Sequence, residues 1–315
     1  MSKELAKILV YGDIHLSDRN YGSHNDYAKE SLYYFRNITN TAKELGITHI
    51  IGLGDFTYGR FRTLEYRKAV EDELDKQNEI TNGNRYELKG NHDKATYGMT
   101  EYEYYVSSKK LKQAQNISIG NLNLSMISFG EHLDKPIIPV EENKTNIVLM
   151  HDYFKFNSTN IADYGQAHIL DNFENWYGVD YIIGGHIHNY ELFTGNIAKG
   201  NTSDKTVVNY LGCPSRPAYR EGHMQDTGYY AILTVYEDRV DYDIYEFSLW
   251  DIDKSFNLSL KADKIRKKVD VSDVVKELDK HRRVIGEPEE VIKAMIDIDE
   301  EVKNKAIDLL HRANL

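Results

Sequence analysis

Three short apolar stretches in the first third of the chain each end in a polar, glycine-containing loop, and helical patterns lie between them. Lys7–Val10 leads into Gly12-Asp13, Ile47–Leu53 into Gly54-Asp55, and Tyr86–Leu88 into Gly90-Asn91-His92-Asp93. Helices are predicted over Tyr27–Leu45, which Gly46 would end, and over Leu64–Ile80. This alternation is typical of an α/β domain with parallel strands. Ligands of such sheets bind beyond the carboxyl ends of the strands, so the three loops should meet at one site.

The second half of the chain is rich in strand patterns. Hairpin-sized turns at Gly120-Asn121 and Glu237-Asp238-Arg239 join neighbouring strands. Two further apolar stretches end at His151 and at Gly185-His186. We expect these later strands to form a second sheet packed on the first, with helices outside.

From about Lys261 the strand patterns stop, and apolar residues recur at helical spacing. We therefore predict one large domain over residues 1–250 and a helical tail over residues 251–315. Gly286 and Pro288 interrupt this tail. Helices this short are marginal in isolation, so they must dock either on the large domain or on a partner.

Composition argues against several classes of protein. The single cysteine, Cys213, cannot form an intramolecular disulfide and favours a reducing compartment. The apolar stretch near Met1 is too short for a signal peptide, and no apolar stretch approaches the roughly 20 residues that cross a bilayer. A cytoplasmic protein without a membrane segment is predicted. The formal net charge of −11 disfavours coating of nucleic acid through unspecific phosphate contacts.

Five motifs carry the residue types that bind divalent metals. They are Asp13-x-His15, Gly54-Asp55, Gly90-Asn91-His92-Asp93, His151 and Gly185-His186-x-His188. In an extended segment alternate side chains point the same way, so both ends of an x-motif can aim at one point. Each motif alone is also typical of a helix cap, a polar turn or a structural histidine. Together at strand ends they predict a metal site of oxygen and imidazole ligands, which suits Mn²⁺, Fe²⁺ or Zn²⁺.

These motifs, in this order, resemble the calcineurin-like metallophosphoesterase superfamily, whose series is D-x-H, G-D, G-N-H-D/E, H and G-H-x-H. The resemblance runs from about Lys7 to about Phe247. It implies an α/β fold in which two mixed β-sheets pack as a sandwich flanked by helices in four layers. It also implies two divalent metal ions, with Mn²⁺ as our first expectation and Fe²⁺ or Zn²⁺ as alternatives. Two ions about 3.5–4 Å apart would clamp a phosphoryl group and polarise a water.

The resemblance also implies a role for each motif residue. The first ion would be held by Asp13, His15 and His188, the second by Asn91, His151 and His186, with Asp55 as the bridge. His92 would act on the phosphate or the leaving oxygen. Asp93 would orient His92 by a hydrogen bond.

Two details are similar to the DNA-repair nuclease branch, the SbcD-type exonuclease subunits. Leu16 follows His15, and Asn209–Pro217 approximates the Pro-Gly-Ser-x-x-Arg segment of those nucleases. Tyr58 stands where many superfamily members have a second acidic residue, which argues against the protein Ser/Thr phosphatase branch. The chain reaches only Leu315, so the DNA-contacting cap of the branch is expected to be reduced or absent.

We therefore expect a metal-dependent phosphodiesterase that cleaves DNA as an exonuclease or endonuclease subunit. Its tail would bind an SbcC-like ATPase, and a homodimer is left open. Candidate phosphate contacts flank the motifs at Arg60, Arg62, Arg216 and Arg220. The acidic charge and the short tail favour a rival, a phosphoesterase of small phosphodiesters or phosphomonoesters such as cyclic nucleotides. A non-catalytic scaffold is a third reading, and the intact ligand set and His92 count against it.

Overall fold

A computed structural model describes residues 2–19, 27–94, 98–113, 115–131, 140–159, 167–173, 176–197, 205–215, 228–248 and the backbone of 268–269. All of these residues belong to one compact unit, Met1–Val269. The predicted tail, apart from two residues, lies outside the described part of the chain. Its helices and the domain boundary after residue 250 therefore stay predictions.

The described elements follow one another as strands, three α-helices and a short 3-10 helix at Leu170–Asn172. In chain order they are β1 (Glu4–Tyr11), α1 (Tyr27–Leu45), β2 (His49–Gly52), α2 (Leu64–Ile80), β3 (Arg85–Glu87), α3 (Glu101–Ser107), β4 (Lys112–Gln113), β5 (Ile117–Ile119), β6 (Leu122–Ile127), β7 (Thr145–His151), β8 (Phe154–Lys155), β9 (His168–Ile169), β10 (Tyr181–Gly185), β11 (Glu191–Gly195), β12 (Thr206–Tyr210), β13 (Tyr229–Tyr236), β14 (Val240–Glu246) and β15 (Lys268–Val269).

The first sheet has the strand order β15-β14-β13-β1-β2-β3-β4. Strands β1 to β4 run parallel, as the alternating pattern predicted, whereas β13 pairs antiparallel with β1. This pairing corrects one expectation, because the β13–β14 hairpin joins the first sheet rather than the second. Its buried residues Ala231, Leu233 and Val235 lie in the same core as Ile8 and Val10 of β1, which explains why the hairpin packs there.

The second sheet has the order β11-β12-β10-β7-β6-β5 and is also mixed. β6, β7, β10 and β12 are parallel, and β5 and β11 close the two edges antiparallel. A small third sheet pairs β8 with β9. The predicted fold class, two mixed sheets flanked by helices, is confirmed.

The period of two along β1 divides its side chains between two hydrophobic cores. Ala6, Ile8 and Val10 pack between the sheets against residues of β6, β7 and β10. Leu9 and Tyr11 face the opposite way, toward the apolar sides of α1 and α2. Because both faces of β1 are buried, its direction is fixed, and the Gly12–His15 loop must leave the sheet at one defined edge.

Helix α1 has the predicted bounds. Phe35, Ile38 and Ala42 recur at helical spacing and are fully buried against the first sheet. Gly46 follows with a φ of 65°, the left-handed conformation that ends helices. Within the described part of the chain, no helix combines the length and apolar character needed to cross a membrane.

A buried polar network ties the ends of the first three strands together. The Arg85 guanidinium donates to the Glu87 carboxylate over 2.7 Å, and both side chains are completely shielded from solvent. The hydroxyl of Tyr11, at the end of β1, donates to the same carboxylate over 2.6 Å. Glu87 also accepts from the backbone amide of Gly54 over 3.3 Å. The loops after β1 and β2 therefore share one anchor on β3.

We predict that Arg85→Met lowers the free energy of unfolding by about 3–5 kcal/mol, because it leaves the Glu87 carboxylate buried without its cation. Urea denaturation monitored by circular dichroism measures this. Lys110→Met is the matched control, since Lys110 pairs with the exposed carboxylate of Asp75 and should cost less than about 1 kcal/mol. If both variants lose the same free energy of unfolding, the buried Arg85–Glu87 pair contributes no more to stability than an exposed ion pair.

Candidate metal centre

The five motifs converge at one edge of the two sheets. The loops after β1, β2 and β3 carry Asp13, His15, Asp55 and Asn91, while His151 ends β7 and His186 follows β10. β1, β2 and β3 are parallel neighbours in the first sheet, and β7 and β10 are parallel neighbours in the second, so within each sheet the carboxyl ends lie on the same side. The predicted convergence of the loops is what the structure contains.

Four side chains form a first cluster of candidate ligands. The cluster consists of Asp13, His15, Asp55 and His188, with one ligand atom of each within 4.8 Å of the others. The Nε2 atom of His15 lies 3.1 Å from Nε2 of His188 and 3.7 Å from Oδ2 of Asp55. This spacing is close to that of atoms that bind one ion at about 2.0–2.2 Å each.

A second cluster lies beside the first. It consists of Asp55, His151 and His186. The side-chain oxygen of Asn91 lies 2.9 Å from a ring nitrogen of His151 and 2.9 Å from one of His186. Asp55 thus belongs to both clusters, the place predicted for a bridging carboxylate. The grouping of side chains matches the predicted division into two ions, and ligation itself remains a prediction.

The hydrogen bonds in the centre fit a pair of cations. His151 Nδ1 lies 2.7 Å from the Leu53 carbonyl oxygen, which can only accept, so Nδ1 carries a proton and Nε2 is the nitrogen left to bind a metal. Nε2 faces the side-chain oxygen of Asn91 and, at 3.4 Å, Oδ2 of Asp55. Buried Asp13 Oδ1 has no hydrogen-bond partner among the described residues. Acceptors gathered in this way are stable around a cation.

Burial keeps three of the histidines neutral. It lowers the pKa of His15 well below its usual range, lowers the pKa of His186, and lowers the pKa of His188 to about 4. Neutral imidazole is the form that binds a metal. These three rings are therefore ready to bind at neutral pH without releasing a proton.

His151 differs from the other rings because two carboxylates lie next to it. Burial alone would lower the pKa of His151, but Asp13 and Asp55 outweigh it and raise the pKa to about 9. Burial likewise opposes ionisation of Asp55, yet the attraction of His151, His15 and His92 lowers the Asp55 pKa. Without a metal, the centre therefore holds a proton on His151 that an incoming cation must displace.

This proton predicts the pH dependence of metal binding. Below about pH 9 the metal-free form of His151 is protonated, so Mn²⁺ affinity should rise with pH by up to tenfold per unit, as expected for one released proton. Calorimetric titration with Mn²⁺ between about pH 6 and 8 measures the slope.

His168→Gln is the matched control for that experiment. His168 pairs with Asp152 at 3.6 Å and lies outside both clusters, so the slope should persist in this variant. His151→Gln should bind Mn²⁺ more weakly and with a flatter slope. A wild-type affinity that is constant or falls with pH would contradict the assignment of His151.

Backbone strain is concentrated in the candidate ligands. Among the described residues, five that are not glycine have a positive φ, and three of these are His15 at 47°, Asp55 at 49° and His186 at 79°. Such conformations cost on the order of 1–3 kcal/mol each and persist only where the surroundings enforce them. Here the His15 amide donates to the Asp55 carbonyl over 2.9 Å. The His186 amide donates to Asp13 Oδ2 over 2.8 Å.

Gly90 shows how closely the loops approach one another. A Cβ atom at this position would lie 2.1 Å from Asp55 Oδ1 and 2.2 Å from the Asp55 amide nitrogen. Gly12 is similarly restricted, because a Cβ would lie 2.0 Å from the Gly212 carbonyl oxygen. The glycines of the motifs thus let backbone come within contact of the ligand side chains.

His92 lies beside the first cluster, and the structure corrects the contact predicted for Asp93. The His92 amide donates to Asp55 Oδ1 over 2.8 Å, and its ring is 5.2 Å from the His15 ring. The Asp93 carboxylate accepts from the amides of Gly90, Phe56 and Thr57 over 2.9–3.2 Å and does not bond the His92 ring. Asp93 is buried, so it joins the second and third motif loops instead of orienting the imidazole.

Three residues at the centre are not predicted from the sequence as functional candidates. The Tyr58 ring stacks on His92 with centroids 4.8 Å apart, and Phe129 stacks on His186 at 6.0 Å. The Lys94 ammonium lies 4.4 Å from the centre of the Phe129 ring. Tyr58 and Lys94 could have been found from their positions next to the motifs. Phe129 carries no such signal, because only the packing of the second sheet brings it there.

Two of the four candidate phosphate contacts belong to the described part of the chain. Arg60 is exposed, and its guanidinium lies beside Gly98. Arg62 is exposed, and its backbone amide donates to Asp18. Arg216 and Arg220 lie outside the described residues. The roles of all four arginines therefore stay predictions.

Residues 6–190 match the calcineurin-like phosphoesterases. This span covers more than half of the chain and includes all seven candidate ligands. The chain therefore belongs to the calcineurin-like phosphoesterase family. No curated protein matches the sequence significantly.

Several solved structures are similar to this one. Vps29 of Chaetomium thermophilum has 14% identity and a TM-score of 0.42, and the match covers 84% of this chain and 97% of that one. A single mutant of Vps29 from Entamoeba histolytica has 14% identity and a TM-score of 0.39, with the same coverage. A dimetal phosphatase of Danio rerio has 11% identity and a TM-score of 0.45, covering 78% of this chain and 96% of that one.

Proposed function

We propose that this chain hydrolyses phosphodiester bonds of DNA with two divalent metal ions, Mn²⁺ being the expected pair. The observation that carries the two-metal hydrolysis is the position of Asp55 in both ligand clusters. Asp13, His15 and His188 would hold one ion, and Asn91, His151 and His186 the other. When bound, such a pair neutralises phosphoryl oxygens and lowers the pKa of a water, which is the chemistry of phosphate ester hydrolysis.

His92 is the proposed proton donor to the leaving oxygen. Its backbone is fixed to Asp55 while its ring stays partly exposed beside the first cluster. The side chain can therefore reach a substrate without being needed as a ligand. Asp93 is completely buried and accepts hydrogen bonds from three backbone amides, so it is suited to holding loops rather than to touching a substrate.

We predict that His92→Gln keeps the wild-type metal content but lowers kcat by about 10²–10⁴-fold, the usual contribution of a general acid–base group. Metal analysis and steady-state rates on bis-p-nitrophenyl phosphate should come from the same preparation. If metal content falls along with kcat, His92 is a ligand or a structural residue, and the assignment is wrong.

Support for DNA as the substrate comes from the segment that resembles the nuclease branch. Its described part packs on the first motif, since Ser215 Oγ donates to the Ile14 carbonyl over 2.9 Å. The amide of Cys213 donates to the carbonyl of His188 over 2.9 Å. The segment thus touches both x-motifs before the chain continues into Arg216, the proposed phosphate contact.

The net charge of −11 favours a second candidate, hydrolysis of a small phosphodiester or phosphomonoester. An acidic chain has less long-range attraction for a polyanion. Within the nuclease proposal, the same charge implies weak DNA binding by this chain alone. An SbcC-like ATPase, bound to the tail that lies outside the described residues, would then supply much of the affinity for DNA.

The deciding experiment offers linear duplex DNA, single-stranded DNA, bis-p-nitrophenyl phosphate and a cyclic nucleotide to the Mn²⁺-loaded protein. We predict cleavage of DNA, and loss of all activity in His186→Ala, which lacks a candidate ligand. Arg216→Ala should raise the KM for DNA more than that for the chromogenic ester, whereas Arg239→Ala, on the exposed β13–β14 turn, should change neither.

Two outcomes would contradict the proposal. Efficient hydrolysis of the cyclic nucleotide without DNA cleavage would establish the small-molecule candidate. Full activity of His186→Ala in metal-free buffer would exclude a metal-dependent enzyme of either kind.

A further inference from the structure

Among the described residues, no carboxylate is hydrogen-bonded to the His92 ring, and Asp93 in particular is bonded elsewhere. Its backbone is anchored by the amide that donates to Asp55, but this bond leaves the side-chain torsions free. The Asp93 carboxylate is occupied by backbone amides of the neighbouring loops. Within the described part of the chain, the contacts of the His92 ring are with neighbouring aromatic rings.

Tyr58 provides that packing. The rings of Tyr58 and His92 are 4.8 Å apart with an interplanar angle of 28°, a stacked pair. His15 meets His92 edge-on at 75° and meets Tyr58 edge-on at 61°. A flat face on one side and a candidate ligand on another leave His92 little rotational freedom.

Tyr58 is itself firmly placed. Its amide donates to the Leu16 carbonyl over 3.0 Å, and the Leu16 amide donates to Phe56 over 2.9 Å. The preceding residue, Thr57, donates to the buried Asp93 carboxylate over 3.1 Å. The Tyr58 backbone is thereby joined to the first and third motif loops, which carry His15 and His92.

We propose that Tyr58 is a positioning residue that orients the His92 imidazole by stacking. This inference rests on the proposed function, in which His92 acts on the leaving oxygen. An aromatic ring at this position fixes the plane of the imidazole without accepting a proton from it. Tyr58 therefore orients the imidazole by packing, in place of a carboxylate that would orient it by a hydrogen bond.

The test compares Tyr58→Leu, which removes the ring, with Tyr58→Phe, which keeps it. Tyr58→Leu should lower kcat on bis-p-nitrophenyl phosphate by about ten- to a hundredfold, part of the contribution of an acid–base group, with KM and metal content unchanged. Tyr58→Phe should recover most of that kcat. Tyr104→Leu is the matched control, because Tyr104 is exposed on α3 and lies outside the site.

A double-mutant cycle shows whether Tyr58 acts through His92. In a His92→Gln background, Tyr58→Leu should have little further effect on kcat. Equal losses in both backgrounds, a rise in KM with kcat unchanged, or loss of metal would each overturn the proposal. Equal losses would show that Tyr58 acts independently of His92. A rise in KM alone would assign it to substrate binding, and loss of metal would assign it to the fold.

The stacking also has a readout that needs no activity. In the Mg²⁺-loaded protein, the His92 ring proton should show an upfield ring-current shift in NMR spectra that Tyr58→Leu abolishes and Tyr58→Phe preserves. An unchanged resonance in Tyr58→Leu would overturn the proposal. A wild-type protein that hydrolyses no phosphoester would instead reject the proposed function.

Discussion

Asp55 and Asp13 are almost completely buried, and they share a space with imidazoles and an amide oxygen that also offer lone pairs. Burying several electron-pair donors side by side costs free energy unless positive charge lies between them. The protein meets this requirement partly with a proton on His151, whose pKa rises to about 9. Divalent ions would meet it more fully, and they would explain why Asp55 lies in both clusters. The rest of the site follows from the need to hold these groups together.

That need is met by loops from two sheets that support one another. The first and second motif loops exchange backbone hydrogen bonds, and Asp93 joins the second to the third. Glu87 on β3 anchors the loops after β1 and β2, because it accepts hydrogen bonds from the Tyr11 hydroxyl and the Gly54 amide. With so many constraints, His15, Asp55 and His186 can remain at positive φ. The backbone strain is therefore local evidence for a pre-formed site, since stability elsewhere in the fold offsets it.

The sequence predicted the parallel half of the first sheet, both long helices and the convergence of the seven candidate ligands. These succeed because each depends on local patterns: period-two or helical burial, and Asp, Asn or His at strand ends. The pairing of β13 with β1 was not predicted, because it joins residues more than two hundred positions apart, which only tertiary packing brings together. The hydrogen bonds of Asp93 were not predicted for a similar reason, since their donors Gly90, Phe56 and Thr57 belong to two different loops. Tyr58 could be located by its spacing from Asp55, but its stacking on His92 depends on rotamers that no motif specifies.

Metal stoichiometry tests the central claim most directly. Mn²⁺ bound per chain should be measured by mass spectrometry of the metal after equilibrium dialysis, for wild type, His188→Ala and Asp55→Asn. If Asp55 is shared, wild type binds two ions, His188→Ala keeps the second more tightly than the first, and Asp55→Asn weakens both. Two tightly bound ions in Asp55→Asn, or a single ion in wild type, would contradict a centre built around this carboxylate.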